Sequence, residues 1–178
     1  VEAAASDWPF VDDAVAAGCL KRMHSDLRPT QGSDYDSTAD EALIWEYRRL
    51  FIGPATKPAP PWGSVYTDWE MVVFGESTLA LRQWMRENGI ERLSGEGTPE
   101  DHIGLMLLLM AWIAENKPEL LAEYLRLHLL TWSSHFLSQL EGAAEHSFYA
   151  GLARLAKESL EAVQRDLKIE VEYPRYYR

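Results

Sequence analysis

Apolar residues along this chain recur mainly at intervals of three and four, the spacing of a helix with one buried face. From Thr38 onward, Leu43, Ile44, Tyr47, Leu50 and Phe51 fall at i, i+1, i+4, i+7 and i+8, predicting a helix that Gly53-Pro54 stops. Ser77 is a plausible N-cap for a second helix, in which Leu81, Trp84 and Met85 form a stripe ending at Asn88-Gly89, a left-handed C-terminal cap. Thr98-Pro-Glu-Asp101 then reads as an N-cap threonine, proline at the first helical position and an acid at the third, opening a helix whose interior, 103–113, is apolar on every side. Such a run predicts the most buried, central helix. Asn116-Lys-Pro118 breaks it, and Leu120, Leu121, Tyr124, Leu125 and His128 line the face of the next helix. Trp132, Phe136, Leu137 and Leu140 line another, which Gly142 separates from a last helix of about five turns carrying Phe148, Leu152, Leu155, Ala156, Leu160, Val163 and Leu167. Residues 1–28 suggest two short helical pieces, 29–40 a solvent-exposed connection, and only Ile169-Glu-Val171 alternates like a strand. The expected fold is all-α: one domain over 1–178, a bundle of six or seven helices.

One stretch escapes this periodicity. Between the helix ending near Phe51 and the one starting near Ser77 lie about 25 residues with four prolines (Pro54, Pro58, Pro60, Pro61) and two early glycines (Gly53, Gly63), which argue against regular helix. Trp62, Val65, Tyr66, Trp69 and Phe74 make it too aromatic for a disordered linker. Loops of this length that stay ordered usually carry function, so 53–75 is expected to pack as an ordered loop.

Composition narrows the options. A 178-residue chain that is 47% hydrophobic can build a core without staples, and its single cysteine, Cys19, excludes an internal disulfide and fits a reducing compartment. The opening 1–20 has Glu2, Asp7, Asp12 and Asp13 but no lysine or arginine, which argues against a secretory signal and for the cytosol. The longest apolar run is about 12 residues, short of the roughly 20 that span a bilayer. A net charge of −11 disfavours nucleic acid and favours cationic partners, although acidity also serves solubility alone.

Catalytic signatures are absent. There is no P-loop and no H-E-x-x-H, and Gly75-Glu-Ser-Thr-Leu79 fails the nucleophile-elbow pattern at its fifth position. None of His24, His102, His128, His135 and His146 is preceded by glutamate at the third position, which excludes a di-iron bundle. No metal or cofactor is expected. His128 and His135 read as packing or surface residues, and Tyr124 and Trp132 as core. Glu100-Asp-His102 remains: its acids suit a helix start, but a titratable ring immediately before an apolar run is not explained by capping with Asp101. Trp62 is open to two readings, a loop anchor in the core or a ligand contact.

Four segments, Tyr47-Arg-Arg-Leu-Phe-Ile-Gly-Pro54, Pro60-Pro-Trp-Gly-Ser-Val-Tyr66, Phe74-Gly-Glu-Ser-Thr-Leu-Ala-Leu-Arg-Gln-Trp-Met85 and Pro99-Glu-Asp-His102, resemble the TorD/DmsD family of redox-enzyme maturation chaperones, and within it the DmsD branch. The resemblance runs over 47–167 with the segments in order. It implies an all-helical cytoplasmic chaperone, not an enzyme, that binds the twin-arginine leader of a DMSO-reductase-type molybdoenzyme catalytic subunit and delays Tat export until the molybdopterin cofactor is inserted. Beyond the leader it allows the Tat translocase and molybdenum-cofactor biosynthesis proteins as partners, and a monomer or a domain-swapped dimer. The family's leader-binding positions fall on Tyr47, Leu50, Phe51, Trp62, Tyr66, Phe74, Gly75, Pro99, Asp101 and His102, and charge adds Glu100 as a partner for the arginines. Tyr47, Ala55 and Tyr66 stand where the branch typically has tryptophan, and Thr98 where it has glutamate. No counterpart of the family's amphipathic first helix is legible in 1–28. The competing class is a helical adaptor for a folded partner without leader specificity; a third, a hydrolase or nucleotide-binding regulator using His102 with Glu100, lacks a nucleophile and a phosphate-binding loop.

Overall fold

The computed structural model describes residues 11–27, 37–52, 56–91 and 97–178. The expected breaks and pieces at 1–10, 28–36 and 53–55 lie outside these. All regular structure in the described residues is helical, as the periodicity predicts: α1 (Asp13–His24), α2 (Ser37–Tyr47), α3 (Ser64–Thr67), α4 (Glu76–Glu87), α5 (Ile103–Asn116), α6 (Leu121–Tyr124), α7 (Ser133–Ala143) and α8 (Ser147–Asp166). Single π-helical turns extend α2 through Arg48–Ile52 and α6 through Leu125–Leu129, and a 3₁₀ turn, Pro118–Leu120, leads into α6. The tail after α8 forms no strand. Its alternation is overridden by single anchors, with Tyr177 N–H donating to Tyr66 O (3.0 Å) and Tyr176 Oη to Thr131 O (2.8 Å).

The chain forms two compact units, Val1–Pro60 with Ser134–Arg165 and Pro61–Ser133 with Asp166–Arg178. In the first, α1 packs Ala16 and Cys19 against Leu155 of α8, with Val15, Leu20 and Met23 around them. Gly151 makes this crossing possible, since a Cβ there would lie 2.7 Å from Cys19 O and 2.6 Å from Met23 Cγ. Glu46, at the end of α2, is buried and takes a fork from Arg49 (Nε–Oε2 2.7 Å, Nη2–Oε1 2.9 Å) while accepting the Glu145 N–H at 2.7 Å. Arg49 also donates to Ala143 O, so this pair ties the turn between α7 and α8 to α2. Burial raises the Glu46 pKa, but the bonds from Arg49 and from the Glu145 and His146 amides outweigh it and hold the carboxyl below its usual range.

The second unit is centred on aromatic contacts. Tyr66 stacks on Trp132 at 5.9 Å, Trp84 packs against Tyr124 at 5.6 Å, and Tyr124 Oη donates to Met106 O at 2.8 Å. In α5, however, only Ile103, Met106 and Ile113 are buried, and Leu108 is 69% exposed. A helix apolar on every side does not say which face packs, so the expectation that this is the most buried helix is not met: its buried positions form one stripe, and α8 buries more of its residues. The helix also starts later than its capping pattern suggests. Thr98 is not the cap; Pro99–Asp101 is a turn, and His102 is the N-cap, its Nδ1 accepting the Gly104 N–H at 3.1 Å.

Candidate functional site

The aromatic loop is laced to the start of α5 by backbone. Gly63 N–H donates to Asp101 O (3.1 Å) and Ile103 N–H to Pro61 O (2.9 Å), making an isolated antiparallel bridge between Trp62 and His102. The Asp101 side chain closes the lattice, its Oδ2 accepting the Ser64 N–H at 2.8 Å. This use of Asp101 replaces the expected capping box: the carboxylate serves the N-terminus of α3, 37 residues earlier, not that of its own helix. The short helix α3 was not expected among these prolines and glycines. It forms because an ion is fixed at its amide end, where the peptide dipoles favour negative charge.

Gly63 and Gly75 are required by close approach. A Cβ on Gly63 would lie 2.8 Å from the Trp132 indole, and one on Gly75 would overlap Asp68 Oδ2. That Asp68 oxygen accepts both the backbone N–H and the hydroxyl of Ser77 at 3.1 Å. Asp68 thus caps α4 across the intervening loop, and Gly75 rather than the expected Ser77 occupies the N-cap position. The α4 helix ends as predicted, with Asn88 at the C-cap and Gly89 at φ 61°.

From this neck the chain swings outward. Trp69, Met71, Val72, Val73 and Phe74 are all exposed, Trp69 by 71%, and Met71 and Phe74 adopt positive φ. The loop expected to pack throughout therefore divides: Ala59, Val65 and Tyr66 are buried, and the apolar arm 69–74 is presented to solvent. The Arg82 guanidinium sits 5.2 Å from the Phe74 ring centroid, and its Nε donates to Glu100 Oε2 at 2.6 Å.

The candidate residues take up distinct places. Pro99, Glu100 and Asp101 are buried, Asp101 to 3% exposure. Trp62 is half-buried, its ring edge-on to His102 at 5.7 Å, and its Nε1–H is enclosed without a hydrogen-bond partner. Burial pushes the His102 pKa down, against a smaller upward pull from Asp101, in keeping with the neutral Nδ1 acceptor that the cap requires. Tyr66 is fully enclosed, and burial pushes its phenol far up. Trp62, Phe74, Gly75, Glu100, Asp101 and His102 thus belong to one unit, while Tyr47, Leu50 and Phe51 belong to the other. There, Tyr47 is exposed and 5.6 Å from Phe51, which meets Tyr149 at 5.8 Å, and Leu50 is fully buried.

Comparison with known proteins decides the family. A family described as nitrate reductase delta subunit matches residues 12–139. The DmsD chain of Haemophilus influenzae is 50% identical over 133 residues, covering 75% of this chain. The chain belongs to the TorD/DmsD family. Another relative, the Tat proofreading chaperone DmsD of Salmonella typhimurium, is 47% identical over 93% of this chain and 76% of its own. The chain spans 66% of the length of the Haemophilus relative. A solved chain from Archaeoglobus fulgidus, described as a redox enzyme maturation protein, shares the all-α fold at a TM-score of 0.52 and 22% identity, over 90% of this chain and 91% of that one.

The TorD/DmsD match contains every candidate residue from Tyr47 to His102 and also α1. The packed face of α1 is made of Ala16 and Cys19, small side chains with little apolar contrast, so its helical period is faint in the sequence. Sequence reading passed over Asp68, whose capping role spans nine residues, whereas His128 packs against Trp84 and Tyr124 as a packing residue would. His128 lies in the π-helical turn, where the extra residue shifts the register that a 3.6-residue period assumes. No helix in the described residues is long and apolar enough to cross a membrane, and no group of three or more metal-ligating side chains occurs there.

Proposed function

We propose that this chain is a cytoplasmic Tat proofreading chaperone that binds the twin-arginine leader of a DMSO-reductase-type molybdoenzyme catalytic subunit. In this reading it is not an enzyme. It supports cofactor insertion and delays export until the subunit has folded, with the Tat translocase and molybdenum-cofactor biosynthesis proteins as further contacts. The observation that carries the proposal is near-half identity, over 93% of the chain, to a protein named for Tat proofreading.

A leader of this class pairs basic residues with an apolar segment, so its receptor needs carboxylate next to exposed apolar surface. Asp101 and the exposed arm 69–74 lie in the same unit and supply those two features. Trp62, Phe74 and His102 are the proposed leader contacts of the second unit; Gly75, Pro99 and Tyr66 hold the backbone that presents them. Tyr47 and Phe51 are proposed as apolar contacts on the first unit, with Leu50 in its core. Glu100 is a weaker candidate for the arginines than charge alone suggests, because Arg82 already engages it. The chain is proposed to act as one domain and as a monomer; light scattering would reveal a helix-exchanged dimer.

Titration calorimetry with a synthetic leader against the mature subunit tests the reading. Leader binding near micromolar, with none by the mature part, is the expected result. Binding by the mature subunit alone would favour the second reading, an adaptor for a folded partner, for which the exposed arm is the specific motive.

A further inference from the structure

A cavity of about 350 Å³ lies within the second unit. Apolar walls come from Leu81, Met106 and Leu127, and Trp132 closes one side. Its polar lining is unbalanced. Thr67 Oγ1 donates to Gly63 O, Ser77 Oγ to Asp68, and Thr131 Oγ1 to His128 O, so these hydroxyl protons are already committed. Two buried atoms of the lining residues remain without a partner, Asp101 Oδ1 and His128 Nε2. Asp101 is the only charged side chain in the lining, with no lysine or arginine among its residues. A buried carboxylate oxygen with nothing to accept costs free energy until a donor arrives.

We propose that this cavity receives one guanidinium side chain of the bound leader, with Asp101 Oδ1 as its anionic acceptor and His128 Nε2 as its neutral one. A cation is called for by the single carboxylate, and several N–H donors by the two separate acceptors. A planar fork offers several N–H donors and is less strongly hydrated than an ammonium, and its alkyl stem suits the leucine and methionine walls. The flat ion can also lie against the Trp132 ring. The assignment rests on the leader-binding reading for the identity of the ligand, not for the cation preference of the cavity.

The test has two arms. In the first, n-butylguanidinium is titrated into protein carrying ¹⁵N-histidine. The expected result is a saturable shift of the His128 ring nitrogens that is lost in Asp101→Asn. In the second, calorimetry compares an Arg-Arg leader with its Lys-Lys counterpart. The wild type should prefer arginine by about tenfold, and that preference should fall below about threefold in Asp101→Asn and in His128→Leu. The second variant leaves the Asp101–Ser64 bond intact, so it decides the matter if the first fails to fold. An arginine preference unchanged in a folded His128→Leu protein, with no shift by butylguanidinium, overturns the cavity assignment while leader binding stands. A guanidinium shift with no leader binding overturns the leader reading and leaves a cation site. Absence of both overturns both.

Discussion

Burial sets the protonation of His128, whose ring lies 5.4 Å from Trp84 and 6.2 Å from Tyr124, and it alone pushes the pKa down to about 4. An unfolded histidine titrates near ~6.5, so between that value and about 4 the unfolded chain binds a proton that the folded chain refuses. The contribution is complete above about pH 6.5 and is lost as pH falls through the window, with a ceiling of about 3 kcal/mol. His102 adds to the same trend, because protonating Nδ1 removes the acceptor for Gly104 N–H. Denaturant unfolding at pH 7.5 and 4.5 should therefore show a larger acid loss for the wild type than for His128→Gln. Equal losses would mean that the ring is solvated. Trp62 makes a second residue-level forecast. Half-buried and edge-on to His102, it should behave as a binding anchor: Trp62→Ala is expected to weaken leader binding tenfold or more, about 2 kcal/mol, with a stability loss below the roughly 3–5 kcal/mol of a fully buried tryptophan. Calorimetry and a melting curve on the same variant measure the two quantities.

At the scale of elements, the helix starts depend on side chains that come from outside the helix or from unusual residue types. His102 caps α5, and His146 caps α8 in the same way, its Nδ1 accepting the Phe148 N–H at 3.1 Å. Asp68 caps α4 only because Gly75 leaves room for its carboxylate. Gly75→Ala should therefore cost about 1–2 kcal/mol, the worth of a lost N-cap, whereas in an Asp68→Ala background the same change should cost only a few tenths. A double-mutant cycle by urea unfolding measures that coupling, and simple additivity would sink the explanation. The Glu46–Arg49 clamp gives a parallel case: Arg49→Met leaves a buried carboxylate that keeps its backbone donors but loses its counter-ion, and is expected to destabilise by about 2–4 kcal/mol. Replacing Glu46 by glutamine in that background should recover part of the loss.

For the whole molecule, a net charge of −11 and the basic leader proposed above imply attraction that acts before contact. Stopped-flow association with a leader should slow as salt rises from 0.05 to 0.5 M, where the Debye length shrinks to a few ångströms, while dissociation changes little. If both rates were insensitive to salt, the leader would be held by its apolar segment alone. The same argument ranks the two acids. Asp101→Asn should weaken binding by roughly 2–4 kcal/mol because a contact to this buried carboxylate would be desolvated, and Glu100→Gln by less, since Arg82 already pairs with that carboxylate.

The sequence by itself determined the helical class and most helix bodies, because a 3.6-residue hydrophobic period and the Asn88-Gly89 and Lys117-Pro118 breaks are local properties of the chain. It also carried the family, through short segments whose order survives without coordinates. What it could not determine was where those segments' side chains go. Asp101 reads as a cap for its own helix and serves Ser64; Ser77 reads as a cap and is itself capped by Asp68; Tyr66 and Trp69 are both aromatic loop residues, one enclosed and the other exposed. The physical reason is common to all of them. A polar side chain goes to whichever backbone amide the fold leaves without a partner, and an aromatic ring is buried only where another element arrives to cover it; both depend on contacts between segments far apart in the chain, to which no local pattern is sensitive.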